Sequence, residues 1–191
     1  MQKLLLISLR YTLVTTLLLG LGYPLLVTGI AQSLWKQKAN GDLIVQNGTI
    51  VGSHWIGQPF TGPQYFHSRP SAAGNGYDPT ASGGSNWSPS NQKLVDRTTA
   101  SVQAEQAGTS TASVPVDLVT ASASGLDPDI TPAAAQYQAP RIAKARGLPL
   151  KQVEMLIQQN TQDRQFGLLG ERSVNVLALN MALDNKAASI R

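Results

Sequence analysis

The chain of 191 residues has no cysteine, only two histidines, and charge on just 14% of its positions. Without cysteine there is neither a disulfide framework nor a thiolate metal centre, so packing alone must hold the fold. His54 and His67 stand in a Gly- and Pro-rich stretch without His-Glu-x-x-His spacing, which gives a zinc site little to build on. No Gly-x-x-x-x-Gly-Lys-Ser/Thr occurs, so there is no P-loop, and no Gly-x-Ser-x-Gly marks a nucleophile turn. The formal net charge is +4, but setting Lys3 and Arg10 aside leaves 13 basic and 11 acidic residues without a basic run. That pattern offers no footprint for nucleic acid. A surface this poor in charge fits partial coverage by a partner.

What the chain does have is one uncharged run, Tyr11 to Trp35. As a helix it spans roughly 37 Å, enough for a hydrocarbon core of about 30 Å. No later stretch is long or apolar enough to span again. A cleaved signal peptide is the rival reading, with Gly29-Ile30-Ala31 as its site. The run before that point is longer than the usual h-region of about 7–15 residues, so it reads as a retained anchor. Lys3 and Arg10 against Lys36 and Lys38 give a weak positive-inside signal, while Trp35 suits the far interface. The expected division is a cytoplasmic tail at 1–10, a transmembrane helix at 11–35 and an extracytoplasmic domain at 36–191. Ser8, Thr12, Thr16, Gly20, Pro24, Thr28 and Gln32 recur every fourth residue. Such a row is either a ridge that packs on partner helices or the ordinary Thr and Gly content of membrane helices. Pro24 is expected to kink the helix.

Beyond the anchor, Leu43-Ile44-Val45 and Thr49-Ile50-Val51 flank Asn47-Gly48, which predicts a β-hairpin with a type I′ turn. From Gly52 to Asn91, glycines and prolines alternate with Trp55, Phe60, Tyr65, Phe66, Tyr77 and Trp87. Turn formers this dense exclude long regular elements, and aromatics this dense argue against disorder. The expectation is a long ordered loop folded onto the domain or a partner. Ser88-Pro89 opens a predicted helix to Ala107, with Leu94, Val95, Thr98 and Val102 on a thin apolar face. Gly108 and Ser110 to Ser113 break it. Val114 to Thr120 reads as strand or helix, and Ser122 to Asp129 as loop. Thr131-Pro132 caps a helix that is interrupted near Pro140 and ends at Gly147. Further helices are predicted from Pro149 or Leu150 to Asn160 and from Ser173 to Asp184. The fold class is α+β: one N-terminal transmembrane helix, then a helix-rich domain with a small sheet and one long Gly/Pro/aromatic loop.

Candidate chemistry is sparse. Ala81 to Asn86 can form a nest for an anion, although a tight turn is the better explanation. Asp127 and Asp129 stand close together, and Asp129 is placed to favour the start of the next helix. A membrane-anchored periplasmic hydrolase using His54 or His67 is the alternative function class.

Several phrases together carry a family resemblance. They are Gly52-Ser53-x-x-Ile56-Gly57-Gln58-x-Phe60, Tyr65-Phe66-His67-x-Arg69-Pro70-Ser71, Tyr77-x-Pro79 and Ala81 to Asn86. Val114-Pro115-x-Asp117 through Pro128, Pro140-Arg141-x-Ala143-x-Ala145-Arg146 and Val174-Asn175-Val176-Leu177-x-Leu179-Asn180-x-Ala182-Leu183-Asp184 follow in order. With the anchor's Gly22-Tyr23-Pro24-Leu25, the chain resembles the C subunit of Kdp-type potassium-transporting ATPases over nearly its whole length. Trp55 departs from the pattern, where an aliphatic residue is usual. The resemblance implies a non-catalytic accessory subunit of an inner-membrane pump for high-affinity potassium uptake. Its partners are a channel-like subunit, a P-type ATPase subunit that hydrolyses ATP, and a small helical subunit. ATP and potassium are then handled by the complex, with no cofactor held firmly by this chain. The resemblance also implies a catalytic-chaperone role raising the ATP affinity of the ATPase subunit, with Gln58, Ser82, Gly83 and Gly84 as nucleotide contacts. Those residues follow the anchor and so face away from cytoplasmic ATP. Assembly and stabilisation of the partner subunits is the preferred reading. Thr12, Thr16, Gly20, Pro24 and Thr28 are the candidate helix-packing residues.

Overall fold

The computed structural model describes residues 1–108 and 113–188. It divides into two compact units, Met1–Val51 and a second from Gly52 onward.

The first unit is built on a helical run from Gln2 to Leu34, 33 residues long, whose most apolar 18-residue stretch has a mean hydropathy of 1.9 and no buried residue. It is long and apolar enough to cross a membrane. It begins well before Tyr11, so most of residues 1–10 are helical too. The run comprises α1 (Gln2–Thr15), a π-helical segment (Thr16–Gly22) and α2 (Tyr23–Leu34). Pro24 has no N–H to give Gly20. Just ahead of it the ladder widens to i→i+5 bonding, with Tyr23 N–H reaching Leu18 O. The wider turn makes room for the pyrrolidine ring. A short helix, α3 (Lys36–Ala39), leads to Asn40, whose side chain exchanges hydrogen bonds with Gln32 at 3.1 and 3.3 Å. Strands β1 (Leu43–Gln46) and β2 (Thr49–Ser53) pair around Asn47 (φ 50°) and Gly48 (φ 79°). Two successive positive φ values are what a type I′ hairpin turn requires.

In the second unit the chain is irregular from His54 to Asn91, apart from a 3-10 turn at Pro79–Ala81 and a bridge between Ser53 and Ile56. Helix α4 is Gln92–Gly108, three residues later than the Ser88-Pro89 signal. Asn91 is the effective cap, its Oδ1 accepting from Lys93 N–H at 2.9 Å, while Ser88 closes the turn before it. Leu94, Thr98 and Val102 are half-buried, but Val95 is exposed. The expected break after α4 lies largely outside the described residues. Val116–Leu118 is a 3-10 turn, neither strand nor α-helix.

Strand β3 (Asp129–Ile130) precedes α5 (Pro132–Arg146), which runs unbroken through Pro140. Pro140 and Gln136 are both on the solvent side, where the carbonyl that loses its partner is hydrated. Thr131 caps α5 as expected, its Oγ1 accepting from Ala134 N–H, and Gly147 ends it at φ 64°. Next come α6 (Leu150–Gln159), β4 (Thr161–Gln162), β5 (Ser173–Asn175) and α7 (Val176–Ala188). The last helix therefore starts three residues later than Ser173, because Ser173 to Asn175 form the central strand of an antiparallel β3-β5-β4 sheet. Asn175 then caps α7, accepting from Ala178 N–H.

The core lies between α5, α6, α7 and this sheet. Ala134, Ala135, Gln138, Ala139, Ile142 and Ala143 make one buried face of α5 at helical spacing. They meet Val153, Ile157, Val174, Leu179 and Leu183. Phe66, from the irregular segment, enters this core with no exposed surface. Two buried carboxamides hold it there. Asn180 accepts from Phe66 N–H (2.8 Å) and donates to Phe66 O (3.0 Å). Gln138 does the same for His67, at 2.8 and 3.1 Å. Replacing Asn180 with Leu strands a buried N–H and C=O, each costing about 1–3 kcal/mol. Thermal unfolding of the full chain in detergent should show a loss of at least ~2 kcal/mol for Asn180→Leu. Asp184→Asn, which loses a half-exposed ion pair with Arg146, should stay within ~1 kcal/mol. Equal effects would mean that the clamp is not a principal hold.

Candidate functional site

The irregular segment is stitched along its length to residues 120–129. Gly57 N–H donates to Leu126 O (2.8 Å) and Gly83 N–H to Ser124 O (2.8 Å). Ser71 Oγ donates to Gly125 O (2.6 Å) and accepts from Tyr77 N–H (2.7 Å). Arg69 pairs with Asp127 (3.1 Å) and reaches Thr120 O (3.3 Å). The approach is close enough to demand glycine at Gly125: its φ is 66°, and a Cβ there would meet Ala73 N at 2.6 Å.

Ser82, Gly83 and Gly84 belong to this seam. Ser82 Oγ donates to Ser124 O at 3.0 Å, and a Cβ on Gly84 would sit 3.1 Å from Ala123 O. The Gly83 N–H that a nest would turn toward an anion is committed to Ser124. Gln58 packs at Gly52, its Nε2 in the space a Cβ would need, beside Leu177.

Asp129 does not serve the start of α5. Its carboxylate accepts from Ser173 Oγ (2.9 Å) and Asn175 Nδ2 (3.1 Å), tying β5 to β3. The helix start is instead served by Asp117, whose Oδ2 accepts from Thr131 N–H at 2.6 Å. Asp117 is 5% exposed, and its Oδ1 has no partner among the described residues. It lines a hollow of about 140 Å³ with Asp127 and Asp129. Among the described residues, no three of His, Asp and Glu converge as metal ligands do.

A roomy cleft of mixed polarity in this unit, about 380 Å³, is lined by Phe60, His67, Arg69, Tyr77 and Glu105 among others. His67 Nε2 lies 3.1 Å from Gly62 O rather than on a hydroxyl nucleophile. Burial, aided by the Arg141 guanidinium, holds the His67 pKa below its ordinary 6.5. Burial pushes the Glu105 carboxyl above its ordinary 4.5, opposed by Arg141. Burial thus favours the neutral form of both groups, and the imidazole is bonded to backbone rather than to a side-chain nucleophile. Between its two values His67 binds more protons in the unfolded chain. Its contribution is fully present above pH 6.5 and is lost as pH falls toward the folded value. Glu105 has the opposite sign, contributing fully below pH 4.5 and losing that contribution as pH rises through its folded value. Lowering the pH from 8 to about 5.5 should therefore depress the melting temperature more in the natural chain than in His67→Gln. Parallel curves would show that His67 does not carry the dependence.

On the anchor helix, Thr12, Thr16, Gly20, Pro24 and Thr28 are all exposed. A Cβ on Gly20 would lie 3.8 Å from Thr16 Cγ2, so these two are stacked neighbours. An i, i+4 row drifts by about 40° per step on an α-helix. The wider turn at Thr16–Gly22 has the same hand but takes more residues per turn, so an i, i+4 row there drifts in the opposite sense and offsets part of that angle. Phe166, Leu168 and Leu169 form a further exposed group with no periodicity to reveal it in the sequence.

The family described as "KdpC: K+-transporting ATPase, c chain" matches residues 5–185. A protein of Acidobacterium capsulatum named potassium-transporting ATPase KdpC subunit is 61% identical over 174 residues, covering 91% of this chain and 94% of that protein. The protein of the same name from Koribacter versatilis is 56% identical over 184 residues, covering 96% and 95%. The one from Mycobacterium tuberculosis is 50% identical over 188 residues, covering 96% and 99%. With the anchor helix and the stitched domain both inside these matches, the chain belongs to the KdpC family, the c chain of the K+-transporting ATPase.

Proposed function

We propose that this chain is a non-catalytic, single-pass accessory subunit that assembles and stabilises the channel-like and P-type ATPase subunits of the potassium pump. One observation carries the reading: the Gln2–Leu34 helix buries none of its most apolar stretch within its own chain. That length needs lipid and neighbouring helices to cover it. The row from Thr12 to Thr28 supplies the small and polar contacts such neighbours use. The N-terminus is cytoplasmic, and the domain from Lys36 onward is extracytoplasmic on the inner membrane. There the domain braces the complex and does not meet cytoplasmic nucleotide. ATP hydrolysis belongs to a partner. The seam geometry supports the same reading, since the Gly83 N–H and the Ser82 hydroxyl are both bonded to the domain's own Ser124 O.

Deleting the chain should disperse the solubilised complex and abolish uptake at low external potassium, whereas His54→Ala and His67→Ala should leave turnover intact. Leu at Thr12, Thr16, Gly20 and Thr28 together should lower co-purification of the other subunits, and unchanged recovery would remove the ridge from the reading. The chain has no native cysteine, so Ser82→Cys gives a clean topology probe. An impermeant maleimide should label it in intact spheroplasts. Labelling only after lysis would place the glycine segment inside and favour nucleotide contact through Gln58, Ser82, Gly83 and Gly84.

A further inference from the structure

Among the described residues, the two most exposed large apolar side chains of the second unit, Phe166 and Leu168, sit together with Leu169 at one tip. Between β4 and β5 the chain extends as a hairpin closed by reciprocal Gln165–Leu169 backbone bonds of 2.9 Å. At its end Phe166 is 92% exposed, Leu168 81% and Leu169 60%. Leu168 N–H donates to Gln165 O at 3.1 Å, closing a turn whose central residues Phe166 and Gly167 have φ 54° and 75°. Such a turn favours Asn, Asp or Gly at both places, and a bulky side chain at positive φ is an outlier. Phe166 thus strains its backbone and buries almost nothing in its own chain. A local violation without internal compensation marks a position serving something outside the fold.

We propose that this tip seats the domain in an apolar pocket on another subunit of the transport complex, with Phe166 as the anchoring side chain. The inference rests on the assembly reading above and names one contact within it. Charge decides between a protein pocket and the bilayer. At the base of the tip Arg164 pairs with Glu171 (2.7 Å) and Arg172 with Asp163 (2.9 Å). Two cations and two anions satisfy one another, leaving no basic excess to hold the tip on anionic headgroups. A bare aromatic and two leucines above paired charges instead match the apolar centre and polar rim of a protein interface.

The test uses the full chain co-expressed with the other subunits. Asn tolerates positive φ, so Phe166→Asn should keep or raise the melting temperature of the chain while lowering its retention on the washed, detergent-solubilised complex by at least about ten-fold. A benzoyl-phenylalanine at position 166 should photo-crosslink to another subunit of the intact complex. Equal retention of Phe166→Asn with the natural chain retained overturns this inference alone. Adducts to lipid only, or none, also overturn it. Failure of the natural chain to co-purify overturns the assembly reading and this contact with it.

Discussion

Two neutral carboxamides decide where the domain's longest irregular segment goes. A peptide unit buried among helices needs one donor and one acceptor, and Asn or Gln carries that pair on a single side chain. Asn180 and Gln138 therefore stand in for a missing neighbouring strand at Phe66 and His67. Charged groups would cost far more to bury at these depths. With the two peptides fixed, the Phe66 ring can fill the core and the flanking chain has a defined exit. Arg141 then takes Pro63 O and Tyr65 O, and Arg146 takes Gln64 O while lying over the Tyr65 ring. The segment rests on α5 and α7 at successive residues, and the cleft beside Glu105 follows from that placement.

The seam with residues 120–129 extends the same logic by different means. Here backbone meets backbone directly, which small residues permit and larger ones forbid. Gly57 lies where a Cβ would be 2.6 Å from Asp127 O, and Gly125 where one would strike Ala73. The serines of Ser122 to Ser124 cap local turns and accept from Gly83, so polar groups are used up within the chain. A surface built this way is stiff and chemically quiet. It suits a brace, and it leaves few free donors for a ligand.

Much of the architecture is legible in the residues because local rules act alone there. Asn47-Gly48 dictates its turn, Thr131-Pro132 its cap, Gly147 its helix end, and the uncharged run its long apolar helix. The misses share a cause: tertiary pairing overrides local preference. Ser173 to Asn175 reads as helix because its apolar spacing continues into α7, yet β3 and β4 claim it as strand. Asp129 looks like a helix-start carboxylate, but the sheet uses it, and Asp117, fourteen positions upstream of Thr131, takes that task. The roles of Asn180 and Gln138 are invisible locally, since their partners lie 114 and 71 residues away.

Pro140 and Phe166 both break local rules, and comparing them shows how strain separates fold from function. Pro140 removes a hydrogen bond from the middle of α5, at a cost of about 3 kcal/mol in an isolated helix. The fold answers it from within: Ala139 and Ile142 on either side are buried in the core, and the unpaired carbonyl is on the wet face. The helix is held by what surrounds it, so Pro140 needs no further reason. Phe166 also breaks a rule, at a turn where Asn or Gly would fit better, but nothing among the described residues repays it. Its ring is bare, and its nearest stabilising contacts are the backbone bonds of the turn itself. A compensated violation belongs to packing; an uncompensated one points outward. In a chain whose family assembles with other subunits, outward means toward them.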